Sequence, residues 1–163
     1  METQEDILKG ALLLERRGKV FYEASARGSA NEPVREIFLN LAREEGRHIE
    51  VLSKAFADLV RTGRMTEGAP AETPPDVSGA VLTDAVKAEI SAASYEAAAL
   101  YAAMALEERA VAFYSDAERK ATGEAKAVYR WLADWERTHL DLLTALDQEL
   151  RQRVWHDQHF WPF

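Results

Sequence analysis

The sequence predicts an all-α protein, an antiparallel four-helix bundle in which a long crossover joins the second helix to the third. Three observations favour this fold class. Strong helix formers, chiefly Ala, Leu, Glu and Arg, dominate the composition. Gly and Pro cluster in a few places and leave four long stretches without helix breakers. The one long irregular segment lies between the second and third stretches, and a connection of that length can run along a whole bundle.

Capping signals bound the first two helices. Thr3-Gln4-Glu5-Asp6 has the form of a capping box, and a helix is predicted from there to about Ala26. After a short turn, Asn31 suits the N-cap of a second helix, and Pro33 falls in the first turn, where its missing N–H is harmless. This second helix is predicted to end at about Arg61, shortly before a glycine.

The second half of the chain begins with the crossover. Residues 62–79 include three prolines and are predicted to be irregular, and a short helix is predicted around residues 83–90. Two long helices follow, at residues 94–120 and 124–154. Residues 155–163 form an aromatic tail, which we expect to dock on the bundle or on a partner subunit. The whole chain, 1–163, is predicted to be one domain.

Composition and charge exclude several classes of function. The absence of cysteine excludes disulfides, zinc fingers, cysteine-ligated iron and thiol nucleophiles. The net charge of −8 argues against a nucleic-acid partner, because such binding depends on Lys and Arg at phosphates. No apolar stretch is long enough to span a membrane, and the acidic N-terminus does not resemble a secretory signal. We therefore expect a cytoplasmic location.

The two halves of the chain carry an internal repeat. Segment 14–22 of the first helix matches segment 106–114 of the third, and segment 41–48 of the second helix matches segment 132–139 of the fourth. The offsets are 92 and 91 residues, and surface positions differ freely between the copies. The polar residues that the repeat keeps are Glu15, Tyr22, Glu45 and His48, with their mates Glu107, Tyr114, Glu136 and His139.

The four kept glutamates lie on apolar helix stripes. Glu15, for example, shares its face with Leu8, Ala11 and Tyr22, at the spacing that turns one side of a helix toward a core. An unpaired carboxylate buried there would cost on the order of several kcal/mol. A pair of divalent cations would balance the four negative charges. The alternatives are a buried salt-bridge network, for instance with Arg47 and Arg109, or a site that has lost its metal.

The spacing of these residues suits a metal centre. In each Glu-x-x-His motif the two side chains are three residues apart on a helix and point into the same space. Carboxylate oxygens with imidazole suit two iron ions, or two manganese ions. Either Glu45 and Glu107 or Glu136 and Glu15 would supply the bridging carboxylates, and the sequence leaves this choice open. The predicted ligands are Glu15, Glu45, His48, Glu107, Glu136 and His139.

In both halves of the chain, Phe-Tyr follows the first glutamate of the repeat, which is Glu15 in one half and Glu107 in the other. Together with the two Glu-x-x-His motifs, this pattern resembles the rubrerythrin branch of the ferritin-like superfamily over about residues 5–150. The resemblance implies a non-haem di-iron centre, reduction of hydrogen peroxide or oxidation of ferrous iron, and a homodimer. It also implies that Tyr22 and Tyr114 hydrogen-bond ligand carboxylates, the alternative being simple core packing. Two features depart from that family. The chain lacks the cysteines of a rubredoxin-like module, so an external electron-donor protein is required, and Ala110 stands where rubrerythrins tend to carry an extra glutamate.

Three functions follow from this sequence. The first is a redox protein that reacts with hydrogen peroxide or O₂, with no catalytic residue beyond the metal ligands. The second is a ferroxidase that handles iron, and the third is a non-enzymatic interaction module. Glu44, Glu50 and Glu108 fall off the apolar stripes and are expected in solvent, whereas Glu96 shares the stripe of Glu107 and is a candidate for an access route.

Overall fold

A computed structural model describes residues 3–74 and 95–157, and within these ranges the chain forms helices and no strands. The helices are α1 (Gln4–Gly28), α2 (Glu32–Thr62), α3 (Tyr95–Lys120) and α4 (Gly123–Asp157). Their bounds agree with the predicted ones to within one turn. The short helix predicted at 83–90 lies outside the described residues. Helix α4 continues through the first three positions of the predicted tail, and residues 158–163 lie outside the described residues.

The helices begin and end at the residues whose chemistry favours it. Thr3 and Asp6 form the predicted capping box, in which each side chain accepts a hydrogen bond from the backbone N–H of the other at 3.1 Å. Asn31 caps α2 by accepting from the Val34 N–H at 3.0 Å. Gly63 ends α2 with a φ of 78°, a left-handed conformation that glycine adopts without a Cβ clash.

Two apolar clusters show how the helices run. One cluster joins the N-terminal half of α1 to the C-terminal halves of α2 and α3 and to the start of α4. The other joins the opposite ends of the same four helices. Helices α1 and α4 therefore run one way, and α2 and α3 run the other way. Because α2 and α3 are parallel, the chain between them must return along the length of the bundle, as the predicted crossover requires.

The packing of helix pairs follows from this topology. The short turns hold α1 against α2 and α3 against α4, and α1 also packs along α3. No helix within the described ranges combines the length and the apolar character needed to cross a bilayer. On every helix, the predicted polar stripe residues fall between the residues of the two apolar clusters. The fold therefore brings them to one level near the middle of the bundle.

Candidate metal centre

All six predicted ligands meet at this level and are buried there, each at most 3 % exposed. They come from all four helices, one glutamate from each of α1 and α3 and one Glu-x-x-His pair from each of α2 and α4. The i, i+3 spacing turns each pair of side chains to the same side of its helix, as predicted. The residues are Glu15, Glu45, His48, Glu107, Glu136 and His139.

The ligand atoms fall into two overlapping groups. Glu15 and His48 belong to one group, Glu107 and His139 belong to the other, and Glu45 and Glu136 belong to both. Within each group, one potential ligand atom from every residue lies within 4.8 Å of the others. The two glutamates shared by the groups are thus the two from the Glu-x-x-His motifs. The sequence left open two other pairs, Glu45 with Glu107 and Glu136 with Glu15, and which carboxylates would bridge two ions remains a prediction.

Each histidine turns the same ring nitrogen toward the carboxylates. His48 Nδ1 lies 3.0 Å from Glu15 Oε2 and 2.8 Å from Glu136 Oε1. His139 Nδ1 lies 3.2 Å from Glu136 Oε2 and 3.5 Å from Glu107 Oε1. The two imidazoles stack with their centroids 5.8 Å apart. Both Nδ1 atoms are therefore available to the same central space, while both Nε2 atoms face away from it.

The two tyrosines that both copies of the repeat contain connect opposite halves of the bundle. The Tyr22 hydroxyl donates a short hydrogen bond to Glu107 Oε1, and the Tyr114 hydroxyl donates one to Glu15 Oε1. Burial, followed by the charges of Glu107 for Tyr22 and Glu15 for Tyr114, raises the pKa of each phenol well above its ordinary value. Both phenols therefore remain protonated donors. The hydrogen bonds expected from the sequence are present, and their role beside a metal remains a prediction.

Burial and mutual repulsion govern the charges of the cluster. Burial, then the charge of Glu15, raises the pKa of the Glu45 carboxyl well above its usual value. Burial and the charge of Glu136 raise the pKa of Glu107 to about 7. Burial would also raise the pKa of Glu136, but the charges and hydrogen bonds of His48 and His139 together outweigh burial and hold that pKa below its ordinary value. Protons shared among these groups therefore reduce the repulsion when no cation is bound.

The alternative of an arginine network is wrong. Arg109 is exposed, and Arg47 lies on the surface 3.8 Å from Glu72. Among the described residues, the only cationic side chains in contact with the four buried carboxylates are the two histidines. The four buried carboxylates therefore have no Lys or Arg beside them within the described ranges.

The donor set fits a pair of divalent ions. Glu136 Oε1 is buried and accepts no hydrogen bond from the described residues, although His48 Nδ1 lies 2.8 Å away. A buried carboxylate oxygen without a partner is costly, and a cation would satisfy it. Four carboxylates with two imidazoles also match the hard ligands that iron and manganese prefer. The chain therefore holds a buried Glu/His cluster that can bind metal.

Glu44 is a site residue that the sequence did not reveal. It was expected in solvent, as Glu50 and Glu108 are, but its side chain is only 21 % exposed. Glu44 Oε2 lies 3.0 Å from His139 Nε2 and accepts a short hydrogen bond from Trp135 Nε1. Its position off the apolar stripe of α2 directs it toward α4, and only the lateral packing of these helices brings it to His139.

The outer side of His48 has a different environment. Its Nε2 atom is buried and has no hydrogen-bond partner among the described residues. The ring lies edge-on to the indoles of Trp131 and Trp135, with centroids 5.6 and 5.7 Å away. The two histidines are thus alike toward the carboxylates and unlike on their opposite sides.

A cavity of about 210 Å³ between α1 and α3 reaches the cluster. Gly18 and Ala110, which are mates in the repeat, line it, and the exposed Arg17 and Arg109 are also among its lining residues. Four carboxylates line it as well: Glu15, Glu45, Glu107 and Glu136. A larger cavity, of about 520 Å³, near the start of α4 contains none of the six predicted ligands.

Glu96 does not line this cavity. Its carboxylate accepts hydrogen bonds from Ser29 Oγ and the Ala30 N–H, both at 3.0 Å, and so ties the start of α3 to the α1–α2 turn. Glu96, a candidate for the access route on sequence grounds, is therefore not part of it. The residue shares the stripe of Glu107, but it lies three turns away along α3.

Comparisons with known proteins agree with this geometry. The family model described as Rubrerythrin matches residues 6–147. A solved structure of a hypothetical protein from Pyrococcus furiosus is similar, with a TM-score of 0.67 and 26 % identity, over 93 % of this chain and 92 % of that one. No curated protein sequence matches the chain.

Proposed function

The chain belongs to the rubrerythrin family, and from that premise we propose that it is a redox protein that holds two iron ions, with manganese as the alternative metal. Its oxidant would be hydrogen peroxide or O₂. Since the chain has no cysteine with which to hold an electron-transfer iron of its own, its electrons would come from an external donor protein.

One observation carries this proposal. The two groups of ligand atoms overlap in Glu45 and Glu136, so that two ions can share two carboxylates within a single buried cluster. A solitary structural ion would need only one such group. A salt-bridge network would need Lys or Arg at the carboxylates, and the described residues provide none there.

Each residue has a definite part in this proposal. Glu15 and His48 would hold one ion, Glu107 and His139 would hold the other, and the two shared glutamates would bridge them. The tyrosines fix the carboxylates from behind. The Tyr114 hydroxyl donates a hydrogen bond to Glu15 Oε1, and the other oxygen, Glu15 Oε2, lies 3.0 Å from His48 Nδ1. This preorganisation reduces the rearrangement that metal binding would require.

The metal pair, when bound, supplies reducing electrons and Lewis acidity. The residues around it control what reaches the centre. The cavity between α1 and α3 has room for a molecule of a few atoms, and its small lining residues Gly18 and Ala110 would let such a molecule approach the buried carboxylates. Over the whole reaction, hydrogen peroxide accepts two electrons and two protons and leaves as two molecules of water.

The proposal is tested by single-turnover oxidation. Protein loaded anaerobically with Fe²⁺ is mixed with hydrogen peroxide, and the absorbance of ferric iron is followed, with and without a reductant. We expect rapid oxidation and repeated turnover when the reductant is present. Glu45→Ala/Glu136→Ala, compared at the same total iron, should oxidise no faster than free iron. Equal rates in the two proteins would overturn the proposal.

A ferroxidase is the second candidate, and one observation favours it. All four buried carboxylates line the access cavity, so an arriving cation meets oxygen ligands from the outset. Excess Fe²⁺ with O₂ and no reductant distinguishes the two functions. Steady oxidation of many iron equivalents per chain indicates a ferroxidase, whereas arrest after one turnover indicates the peroxide-reducing protein. Failure to bind iron or manganese at all would leave the interaction module.

A further inference from the structure

We infer that the two metal positions bind unequally, and that Glu44 makes the position of His139 the tighter one by accepting a hydrogen bond from His139 Nε2. This inference rests on the proposed metal centre. Glu44 itself touches neither ion position. It acts through His139 and is therefore a positioning residue.

The geometry on the outer side of His139 suits this role. A histidine that binds a metal through Nδ1 carries its remaining proton on Nε2. His139 Nδ1 faces the carboxylate cluster, and His139 Nε2 lies 3.0 Å from Glu44 Oε2. A carboxylate in this place fixes the tautomer and the ring orientation and makes the imidazole a better ligand.

The other half of the repeat lacks this carboxylate. Glu44 precedes Glu45 in α2, and its mate, which precedes Glu136 in α4, is Trp135. His48 Nε2, the counterpart of His139 Nε2, accordingly has no hydrogen-bond partner among the described residues although the ring is fully buried. An indole face is a much weaker acceptor than a carboxylate. A metal bound to His48 Nδ1 would therefore leave the proton on His48 Nε2 without a strong hydrogen-bond acceptor among the described residues.

The Trp135 side chain also stabilises the Glu44 carboxylate in its position beside His139. Its Nε1–H donates to the same Glu44 oxygen that lies beside His139 Nε2. The tryptophan thus contacts the His48 ring while it holds the carboxylate that serves His139. One substitution between the repeats accounts for both environments.

Co²⁺ titration of the whole chain, followed by visible absorbance, measures the two positions. Two binding steps are expected. His48→Ala isolates the His139 position, and His139→Ala isolates the His48 position. Glu44→Gln is then added to each background, because a double-mutant cycle shows through which histidine Glu44 acts. Glu50→Gln, an exposed glutamate of the same helix, is the matched control.

We expect Glu44→Gln to weaken Co²⁺ binding about 10- to 100-fold in the His48→Ala background and to leave the His139→Ala background unchanged. In the parent protein, the variant should weaken the first step and bring it close to the second. Glu50→Gln should change neither. Thermal denaturation of the metal-free proteins shows whether each variant is folded.

Equal loss in both backgrounds would mean that Glu44 acts by its charge alone and would overturn the inference. Two equal binding steps in the parent protein, or no effect of Glu44→Gln on them, would do the same. These results would leave the metal centre itself in place. If the parent chain binds no Co²⁺, Fe²⁺ or Mn²⁺, the proposed function fails first.

Discussion

The first half of the bundle, α1 and α2, and the second half, α3 and α4, place the same side chains at the same level but surround them differently. Each half contributes two glutamates, one histidine and one tyrosine to the cluster. Behind the histidines, however, one half presents Glu44 to His139 and the other presents Trp135 to His48. The inner residues of the repeat are matched, and the outer ones are not.

This difference shows which positions the cluster constrains. Among the described residues, four carboxylates and two imidazoles meet at the centre with no arginine or lysine in contact, so each side chain that points into it supplies an oxygen or a nitrogen. Outside this centre, the neighbour of a cluster histidine need not be a hydrogen-bond acceptor, since Trp135 meets the His48 ring only by packing. The tyrosines add a second lesson, since each half of the bundle holds a carboxylate of the other half.

The largest expected effect distinguishes shared from unshared glutamates. Glu45→Gln and Glu136→Gln should each abolish stable binding of both ions, because both ligand groups include these residues. Glu15→Gln and Glu107→Gln should each leave about one ion per chain. Metal analysis after desalting measures the stoichiometry. Loss of a single ion in all four variants would mean that the two halves act separately and that no carboxylate is shared.

A second prediction concerns pH and involves both halves. In the metal-free fold the pKa of Glu107 is about 7 against its usual 4.5, and the pKa of His48 is about 9 against 6.5. Burial raises the pKa of Glu107. Burial alone would lower the pKa of His48, but the charges and hydrogen bonds of Glu136 and Glu15 together outweigh it and raise that pKa. The folded protein therefore retains protons that the unfolded chain has released between about pH 4.5 and pH 9.

Stability of the metal-free protein should accordingly fall as pH rises through this window, and stabilisation by Mn²⁺ should grow, because the metal displaces these protons. Thermal denaturation in chelator and in Mn²⁺, at several pH values, measures both trends. Glu107→Gln should flatten the lower part of the metal-free curve. A metal-free melting temperature that rises steadily from pH 5 to 9 would contradict this electrostatic account.

Substitution of the tyrosines should have a smaller effect on metal binding. Each tyrosine should affect the metal position in the other half of the bundle. Tyr22→Phe removes the hydrogen bond to Glu107, so it should weaken metal binding about 10-fold at the position of His139. Tyr114→Phe should do the same at the position of His48, through Glu15. Each substitution should also lower metal-free stability by about 1–2 kcal/mol. Isothermal titration and thermal denaturation measure these effects.

Tyr129→Phe provides the matched control for both variants. Tyr129 is also fully buried, but its hydroxyl donates to Gln4 at 3.1 Å, away from the cluster. Its loss should affect stability and leave metal affinity unchanged. If Tyr22→Phe and Tyr129→Phe weaken metal binding alike, the tyrosines of the repeat serve packing only.

The sequence predicted the helices and the inward-facing residues because both depend on local spacing. The capping box at Thr3, the cap at Asn31 and the apolar stripes around Glu15 and Glu136 are all readable within a few turns of one helix. The internal repeat then identified the six residues that meet in the buried cluster without any knowledge of the packing. The family resemblance pointed to the same residues.

Features that depend on distances between helices were not readable in this way. Glu44 lies off its own stripe, so only the packing of α2 against α4 reveals its contact with His139. The sharing of Glu45 and Glu136 likewise depends on the separation of helices rather than on spacing within one. The repeat shows that Glu44 is matched by Trp135, but the sequence could not show that this difference leaves His48 Nε2 without a hydrogen-bond partner among the described residues.

The measurement that tests the central claim most directly is the iron content of the chain after anaerobic loading with Fe²⁺ and desalting. Two overlapping ligand groups predict about two ions per chain, and Glu45→Ala/Glu136→Ala should retain none. No stoichiometric iron or manganese in the parent protein would contradict the account. The six residues would then form a buried polar network that shares protons rather than a metal centre.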